Sequence, residues 1–140
     1  MMNSQQSNLK LSLFISPSLR FIMELTAWCW ILIAGLTIDI IYLVFFVLSV
    51  LLMATMNYPG DKKHDGPISI PGWLRIFNEL TFAGLLSIYG SYLLFGLTGF
   101  IIQLLIVLLV ILFDFPRYLW MTGFKKTPPA YITYWNFNRK

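Results

Sequence analysis

Two pairs of arginine and glutamate are the residues of this chain whose type and spacing could do chemistry. Arg20 and Glu24 are four residues apart, as are Arg75 and Glu79. In a helix, each pair lies on one face about a turn apart and can form an ion pair. Both pairs lie near the ends of apolar runs, where an unpaired carboxylate is costly and an ionisable group is by default a functional candidate. If the two helices are neighbours, the four side chains form one neutral cluster.

Three roles remain open for this cluster. The pairs can link the helices structurally, since their charges neutralise each other near the membrane interface rather than at its midplane. The glutamates can relay a proton or another ion. The planar guanidinium groups of the arginines can bind a lipid headgroup or another anion, because they match the geometry of phosphate.

The rest of the chain offers few reactive groups. His64 stands between Asp61 and Asp65 in a stretch rich in proline and glycine, and no second pair of ligands at metal spacing accompanies it. A single cysteine, Cys29, excludes an intrachain disulfide. There is also no serine elbow, phosphate-binding loop or HExxH sequence. We therefore predict that the protein is not an enzyme and that it holds no metal and no cofactor.

Apolar helices must position the four charged residues. Hydrophobic residues make up 58% of the 140 residues and charged residues 11%, whereas globular domains average about 45–50% and about 25%. The mean hydropathy is +0.73. A helix needs roughly 20 apolar residues to cross the hydrocarbon core of a bilayer. Four runs approach that length: 19–36, 38–56, 73–95 and 97–115.

The four runs are joined as two tight hairpins. Only the stretch from Gly35 to Asp39 separates the first two runs, and only the stretch from Gly96 to Gly99 separates the last two. Between the hairpins, prolines and glycines exclude a continuous helix. The sequence therefore predicts an all-α membrane protein with four transmembrane helices in two tandem helical hairpins. Its predicted parts are an N-terminal segment 1–18, hairpins 19–56 and 73–115, a loop 57–72 and a tail 116–140.

The two hairpins also repeat one another in sequence. The stretch from Leu19 to Thr26 recurs from Leu74 to Thr81, at an offset of 55 residues. Because each repeat holds an even number of spans, a pseudo-two-fold axis along the membrane normal should relate them. Small residues can let neighbouring helices approach closely. The predicted packing residues are Gly35, Ala83, Ser87, Gly90 and Ser91.

The positive charges predict the orientation. All ten lysines and arginines fall on one side of the spans, and neither hairpin tip carries one. The positive-inside rule then places both termini and the middle loop in the cytoplasm. Orientation and lipid contact account for the net charge of +4, so we predict no nucleic-acid partner. In the tail, contact with the membrane surface is predicted for Lys125, Lys126, Tyr134 and Trp135, with docking of a partner as the alternative.

The repeated Leu-Arg-x-x-x-Glu-Leu pattern, with a proline-containing loop between its copies, resembles the YrdB-like family of small bacterial four-helix membrane proteins of unknown function. The resemblance covers about 19–113 and rests on Arg20, Glu24, Pro59, Arg75 and Glu79. The middle loop is longer and more charged than the family pattern, and the aromatic tail is additional. The resemblance implies a bacterial cytoplasmic (inner) membrane and the four-helix architecture, and it implies no activity.

Our leading functional expectation is an accessory or envelope-associated protein. It would act through helix packing and through contacts with lipid, with a membrane-protein partner or with a second copy of itself. The alternative is a minimal transporter or channel for ions, protons or small solutes that uses the Arg/Glu pairs. A membrane enzyme acting on lipid is the weaker alternative.

Overall fold

The computed structural model describes residues 4–61 and 67–137, and it describes side chains within 14–61 and 67–133. Most of these residues are helical, so the predicted all-α class is confirmed. The helices are α1 (Ser4–Thr37), α2 (Ile41–Thr55), α3 (Gly72–Asn78), a π-helical turn (Glu79–Leu85), α4 (Leu86–Met121) and α5 (Ala130–Phe137). Two short strands, β1 (Met56–Asn57) and β2 (Ile68–Ser69), pair in parallel. Except for Met56, the last residue of the predicted first hairpin, they lie in the segment predicted as a loop.

The turn between α1 and α2 lies where the sequence predicts it. Asp39 Oδ1 accepts a hydrogen bond of 2.9 Å from the backbone N–H of Ile41, which satisfies one of the free N–H groups at the start of α2. Gly35 allows the two helices to approach closely, because a Cβ atom there would lie 2.6 Å from Leu43 Cδ2. The short connection makes α1 and α2 antiparallel neighbours.

A second change of direction interrupts α4 at Gly96. Its φ of 61° and ψ of −147° are not helical, and glycine adopts a positive φ without the steric cost that a side chain brings. We call the two helical parts before and after Gly96 its arms. Just after this break, Gly99 packs against the arm that precedes Gly96. Its carbonyl accepts a hydrogen bond of 3.0 Å from Ser91 Oγ, and a Cβ atom at Gly99 would lie 2.4 Å from the Ser91 carbonyl oxygen. The arms before and after Gly96 therefore lie side by side.

The surface of the helices is apolar over much of its length. Two helical stretches, Phe14–Thr37 and Gly72–Met121, are long and apolar enough to cross a membrane, and α2 is a shorter apolar helix. Large apolar side chains on them are exposed, with Leu36 at 70% and Leu97 at 67%. Soluble monomers rarely expose large apolar patches. This exterior suits a lipid environment.

The core forms where α1, α2, the π-helical turn and α4 meet. The five residues predicted to serve helix packing are all buried. Gly90 packs against α1, where a Cβ atom would lie 2.9 Å from Trp30 Cβ. One apolar cluster of the core contains Met23, Ala27, Met53, Ala83, Val107 and Val110.

The π-helical turn keeps one face of the third helical stretch directed inward. Arg75, Glu79, Ala83 and Ser87 are all buried and follow one another at steps of four residues. In an α-helix with 3.6 residues per turn, each such step rotates the face by about 40°. A π-helical turn is wider, because its hydrogen bonds run from residue i to i+5. The wider turn offsets this rotation and keeps Glu79 on the same inner face as the packing residues.

The tail folds back onto the bundle. Helix α4 continues through Pro116 to Met121, beyond the predicted end of the last apolar run. After a connecting segment, α5 brings Tyr131 and Ile132 into a small buried cluster against Trp120. The start of α5 is therefore part of the packed structure.

Candidate functional site

Six charged side chains meet at one end of the bundle, and we call them the ion cluster. They balance in charge, because three are arginines and three are carboxylates. The side chain of Arg20 is 19% exposed, and the other five have no exposed area. The members are Arg20 on α1, Asp61 in the turn after β1, Arg75 on α3, Glu79 in the π-helical turn, and Asp114 and Arg117 on α4.

Arg117 lies at the centre of the ion cluster. Its Nε and Nη2 atoms donate to the two oxygens of Asp61, both at 2.5 Å. Nη1 and Nη2 donate to the two oxygens of Glu79 at 3.0 and 2.9 Å, and Nη1 also donates to Asp114 Oδ2 at 3.3 Å. A guanidinium has five N–H donors in a planar fork, so all of them have an acceptor. Arg117 thereby joins α4 to the π-helical turn and to the turn after β1.

Asp114 connects the ion cluster to the two ends of the chain. Its Oδ1 accepts a hydrogen bond from the Ser16 hydroxyl on α1 and one of 3.2 Å from the Tyr131 hydroxyl on α5. Arg20 Nη1 lies 3.7 Å from Asp114 Oδ2. Burial raises the pKa of the Tyr131 hydroxyl and the charge of Asp114 raises it further, so this hydroxyl stays protonated and acts as a donor.

Asp61 is ionised because of the arginines around it. Burial by itself would raise the pKa of this carboxyl. The charge of Arg117, its hydrogen bonds, and the charges of Arg20 and Arg75 outweigh burial and lower the pKa to about 2. The loop carboxylate is therefore an anion across the physiological pH range.

Arg75 is buried but less completely satisfied than Arg117. Its Nη1 donates to the sulfur of Met53 at 3.2 Å. The carboxylate oxygens nearest to it in the described part of the chain lie beyond hydrogen-bonding distance, at 3.8 Å in Glu79 and 3.9 Å in Asp61. Glu79 also accepts a hydrogen bond of 3.0 Å from the Tyr118 hydroxyl. Asp61 and Glu79 are thus bound by Arg117 rather than by Arg75.

Hydrogen bonds between side chains also link the helices away from the ion cluster. Ser49 on α2 accepts a bond of 3.1 Å from Trp28 Nε1 on α1 and donates one of 3.0 Å to the carbonyl of Phe82 in the π-helical turn. Gln103 Nε2 on α4 donates to Thr26 Oγ1 on α1 at 2.8 Å. These side-chain hydrogen bonds therefore hold neighbouring helices together.

The structure brings three of the four predicted charged residues into one network. Arg20, Arg75 and Glu79 belong to the ion cluster, and the predicted i,i+4 pair of Arg75 with Glu79 is present. Glu24 lies half-buried on α1, one turn after Arg20. The two Arg/Glu pairs therefore occupy different environments, although their sequences match.

Sequence reasoning missed Asp61, Asp114 and Arg117 as members of this site. One signal for two of them was present, because Asp114 and Arg117 form a further oppositely charged pair at i,i+3 near the end of the last apolar run. Asp61 was considered only together with His64 and Asp65, a set for which the sequence predicted no metal site. In the structure both Asp61 oxygens bind Arg117.

The described residues contain no group of three histidine, cysteine, aspartate or glutamate side chains placed to hold a metal ion. His64 and Asp65 lie outside the described residues. Lys125 and Lys126 are exposed in the segment before α5. Tyr134 and Trp135 belong to α5, but their side chains lie outside the part of the chain that the structure describes.

The fold and the site together define a class of protein: a mostly helical chain with an apolar exterior and a buried, charge-balanced ion cluster at one end. Comparisons with protein-family models, curated proteins and solved structures gave no match for this chain.

Proposed function

We propose that this chain is a small accessory protein of the bacterial inner membrane, which crosses the bilayer four times and acts through lipid and partner contacts. One observation carries this proposal. The ionisable groups at this end of the bundle mostly bind one another, since Arg117 alone links Asp61, Glu79 and Asp114. A site whose groups neutralise each other in this way supports a structural role.

The proposed spans are α1, α2 and the two arms on either side of Gly96. The arms are long enough, whereas α2 with 15 residues covers only about 22 Å at about 1.5 Å per residue. The hydrocarbon core is about 30 Å thick. A short span is accommodated by local thinning of the bilayer, and the turn residues next to α2 extend it.

The proposed orientation places the ion cluster on the cytoplasmic side, as the positive-inside rule requires. Lys125 and Lys126 lie in the exposed segment between α4 and α5, where they can contact the anionic headgroups of the cytoplasmic leaflet. The resemblance to the YrdB-like family supports the same location. A membrane-protein partner or a second copy of the chain would pack against the apolar exterior.

The transporter alternative requires a carboxylate that can bind and release a proton or another ion. Glu79 is poorly suited to this role, because Arg117 donates to both of its oxygens and Tyr118 donates to one of them. Releasing it would leave buried charges without partners, at a cost of about 3–5 kcal/mol. Glu79 is therefore better suited to holding helices together than to relaying protons.

Proton flux into liposomes tests these two functions. Vesicles with the purified full-length protein should be no more permeable to protons than empty vesicles, and the Glu24→Gln/Glu79→Gln variant should be as impermeable as the unchanged protein. Proton flux that exceeds the empty vesicles, and that disappears in a folded double variant, would replace our proposal with the transporter.

Labelling of single cysteines tests the proposed topology. In a Cys29→Ser background, a cysteine at Asp39 or Thr98 should react with an impermeant reagent added to intact spheroplasts, because both positions lie at the proposed external tips. A cysteine at Gly123 should react only after the membrane is opened. Labelling of Gly123 from outside would overturn the proposed orientation.

A further inference from the structure

The acceptors of the ion cluster are distributed unevenly among its arginines. Arg117 makes five hydrogen bonds and takes both oxygens of Asp61 in a side-on arrangement. Such bidentate geometry is the one by which a guanidinium binds carboxylate or phosphate. Asp61 has two oxygens only, and both face Arg117.

Arg75 is left beside this pair with unused donors. Its Nε and Nη2 atoms have no hydrogen-bond partner among the described residues, although its side chain has no exposed area. Its Nη1 donates to a thioether sulfur, which is a weak acceptor. Leaving a buried donor without an acceptor costs about 1–3 kcal/mol, and more for a charged group. An additional acceptor at Arg75 would therefore be stabilising.

Arg75 and Arg117 face the same carboxylate. Asp61 Oδ2 lies 2.5 Å from Arg117 Nη2 and 3.9 Å from Arg75 Nε. A carboxylate has two oxygens in one plane, so it cannot bind both guanidinium groups side-on at the same time. A phosphate group presents three or more oxygens in a tetrahedral arrangement, and two guanidinium forks can bind it together.

We propose that Arg75 and Arg117 form a binding site for a phosphate-type oxyanion, and that Asp61 occupies this site in the present structure as a stand-in carboxylate. The ligand is the phosphate of a lipid headgroup or free phosphate. This inference deepens the proposed function, because it names the chemical group that the ion cluster recognises. For a lipid headgroup as the ligand, it rests on the proposed membrane location.

The position of Asp61 in the fold allows it to be displaced. Among the acids of the ion cluster, Glu79 and Asp114 lie within helical segments, whereas Asp61 follows Gly60 in a turn. Gly60 has a φ of 81°, and the backbone N–H of Asp61 bonds to the Tyr58 carbonyl within the same turn. Moving Asp61 out requires a change in this turn and no movement of a helix.

Binding of inorganic phosphate to the purified full-length protein tests the proposal. Calorimetry at constant ionic strength, with chloride as the compensating anion, should show that Asp61→Asn binds phosphate at least about tenfold more tightly than the unchanged protein, because the competing charge is gone. The matched control is Asp39→Asn, which removes the same charge from the turn after α1. This turn lies about 25 Å from Arg20 and the ion cluster, at about 1.5 Å per helical residue. Since asparagine also caps a helix, this control keeps the hydrogen bond to Ile41.

Adding Arg75→Gln to Asp61→Asn should return the phosphate affinity to that of the unchanged protein. Equal tightening in Asp39→Asn would overturn the site, as would tight binding that survives Arg75→Gln. If Asp61→Asn does not fold, the thermal stability of the unchanged protein tests the proposed oxyanion site instead. Its melting temperature should rise with phosphate and not with chloride, and Arg75→Gln should abolish that rise. A melting temperature that does not respond to phosphate would refute the proposal.

The source of the oxyanion is distinguished in nanodiscs. If a lipid headgroup is the ligand, phosphatidic acid in a phosphatidylcholine bilayer should compete with inorganic phosphate and weaken its apparent affinity for Asp61→Asn. If free phosphate is the ligand, Asp61→Asn should bind inorganic phosphate with the same affinity in phosphatidylcholine bilayers with and without phosphatidic acid. Failure of phosphate binding in a protein that proves impermeable and correctly oriented would remove this inference alone. Proton flux in liposomes would remove the proposed function and leave the oxyanion site to its own test.

Discussion

Arg117→Gln should strongly destabilise the fold, because this side chain satisfies three buried carboxylates at once. It donates five hydrogen bonds to Asp61, Glu79 and Asp114. Glutamine keeps the polar character but removes the positive charge and most of the donors. Removing one partner of a buried ion pair costs about 3–5 kcal/mol, because a buried charge is left uncompensated. We therefore expect Arg117→Gln to lower the free energy of unfolding by about this amount.

Arg20→Gln is the matched control, because it removes the same charge from the same cluster. Arg20 is 19% exposed and lies 3.7 Å from Asp114, and its Nη1 atom makes no hydrogen bond to the residues that the structure describes. A partly exposed ion pair of this kind contributes about 1 kcal/mol or less. Arg117→Lys should recover only part of the loss, since an ammonium cannot bind two carboxylates side-on.

Equilibrium unfolding in mixed micelles, followed by tryptophan fluorescence, measures these differences. The double variant Arg117→Gln/Glu79→Gln should lose less stability than the sum of its single variants, because the second change removes the carboxylate that the first left unpaired. Our reasoning would be refuted if Arg117→Gln were no more destabilising than Arg20→Gln.

Three further predictions concern the acid response, the packing of α3 and the tail. The pKa of Asp61 falls from an ordinary 3.8 to about 2. Its contribution of about 2 kcal/mol is therefore present above about pH 4 and lost as pH falls toward 2, and Asp61→Asn should remove this part of the acid response. Gly72→Ala should destabilise strongly, because its Cβ would lie 1.9 Å from a backbone oxygen of α4, whereas Gly84→Ala meets only a valine methyl at 3.6 Å and should be tolerated. Tyr131→Phe removes the hydrogen bond to Asp114 and should cost about 1 kcal/mol in unfolding experiments.

Each of these predictions has a contradicting result. An acid transition that is identical with and without Asp61→Asn would show that this carboxylate adds no stability between pH 4 and 2. Equal melting temperatures for Gly72→Ala and Gly84→Ala would contradict the close approach of α3 to the end of α4. Unchanged stability of Tyr131→Phe would mean that α5 is held only by its apolar contacts with Trp120.

Local sequence patterns determined the helical character and the places where the chain turns. The apolar runs predicted helices because a helix satisfies its own backbone hydrogen bonds wherever water is excluded. The turns at Gly35 to Asp39 and at Gly96 depend on a few neighbouring residues with polar or glycine character, and both are found in the structure. The i,i+4 pair of Arg75 and Glu79 could also be predicted from the sequence, since a helix alone brings these residues together.

Only the tertiary structure decided which charges meet. Asp61 and Arg117 are separated by 56 residues, and Glu79 and Arg117 by 38, so no helical spacing predicts their contact. Their meeting depends on the path of the turn after β1, on the rotation that the π-helical turn gives to Glu79, and on the extension of α4 beyond its apolar run. Sequence matching suggested that Arg20 and Arg75 are equivalent. The fold makes one partly exposed and the other fully buried, because burial is set by the neighbouring helices and not by the local sequence.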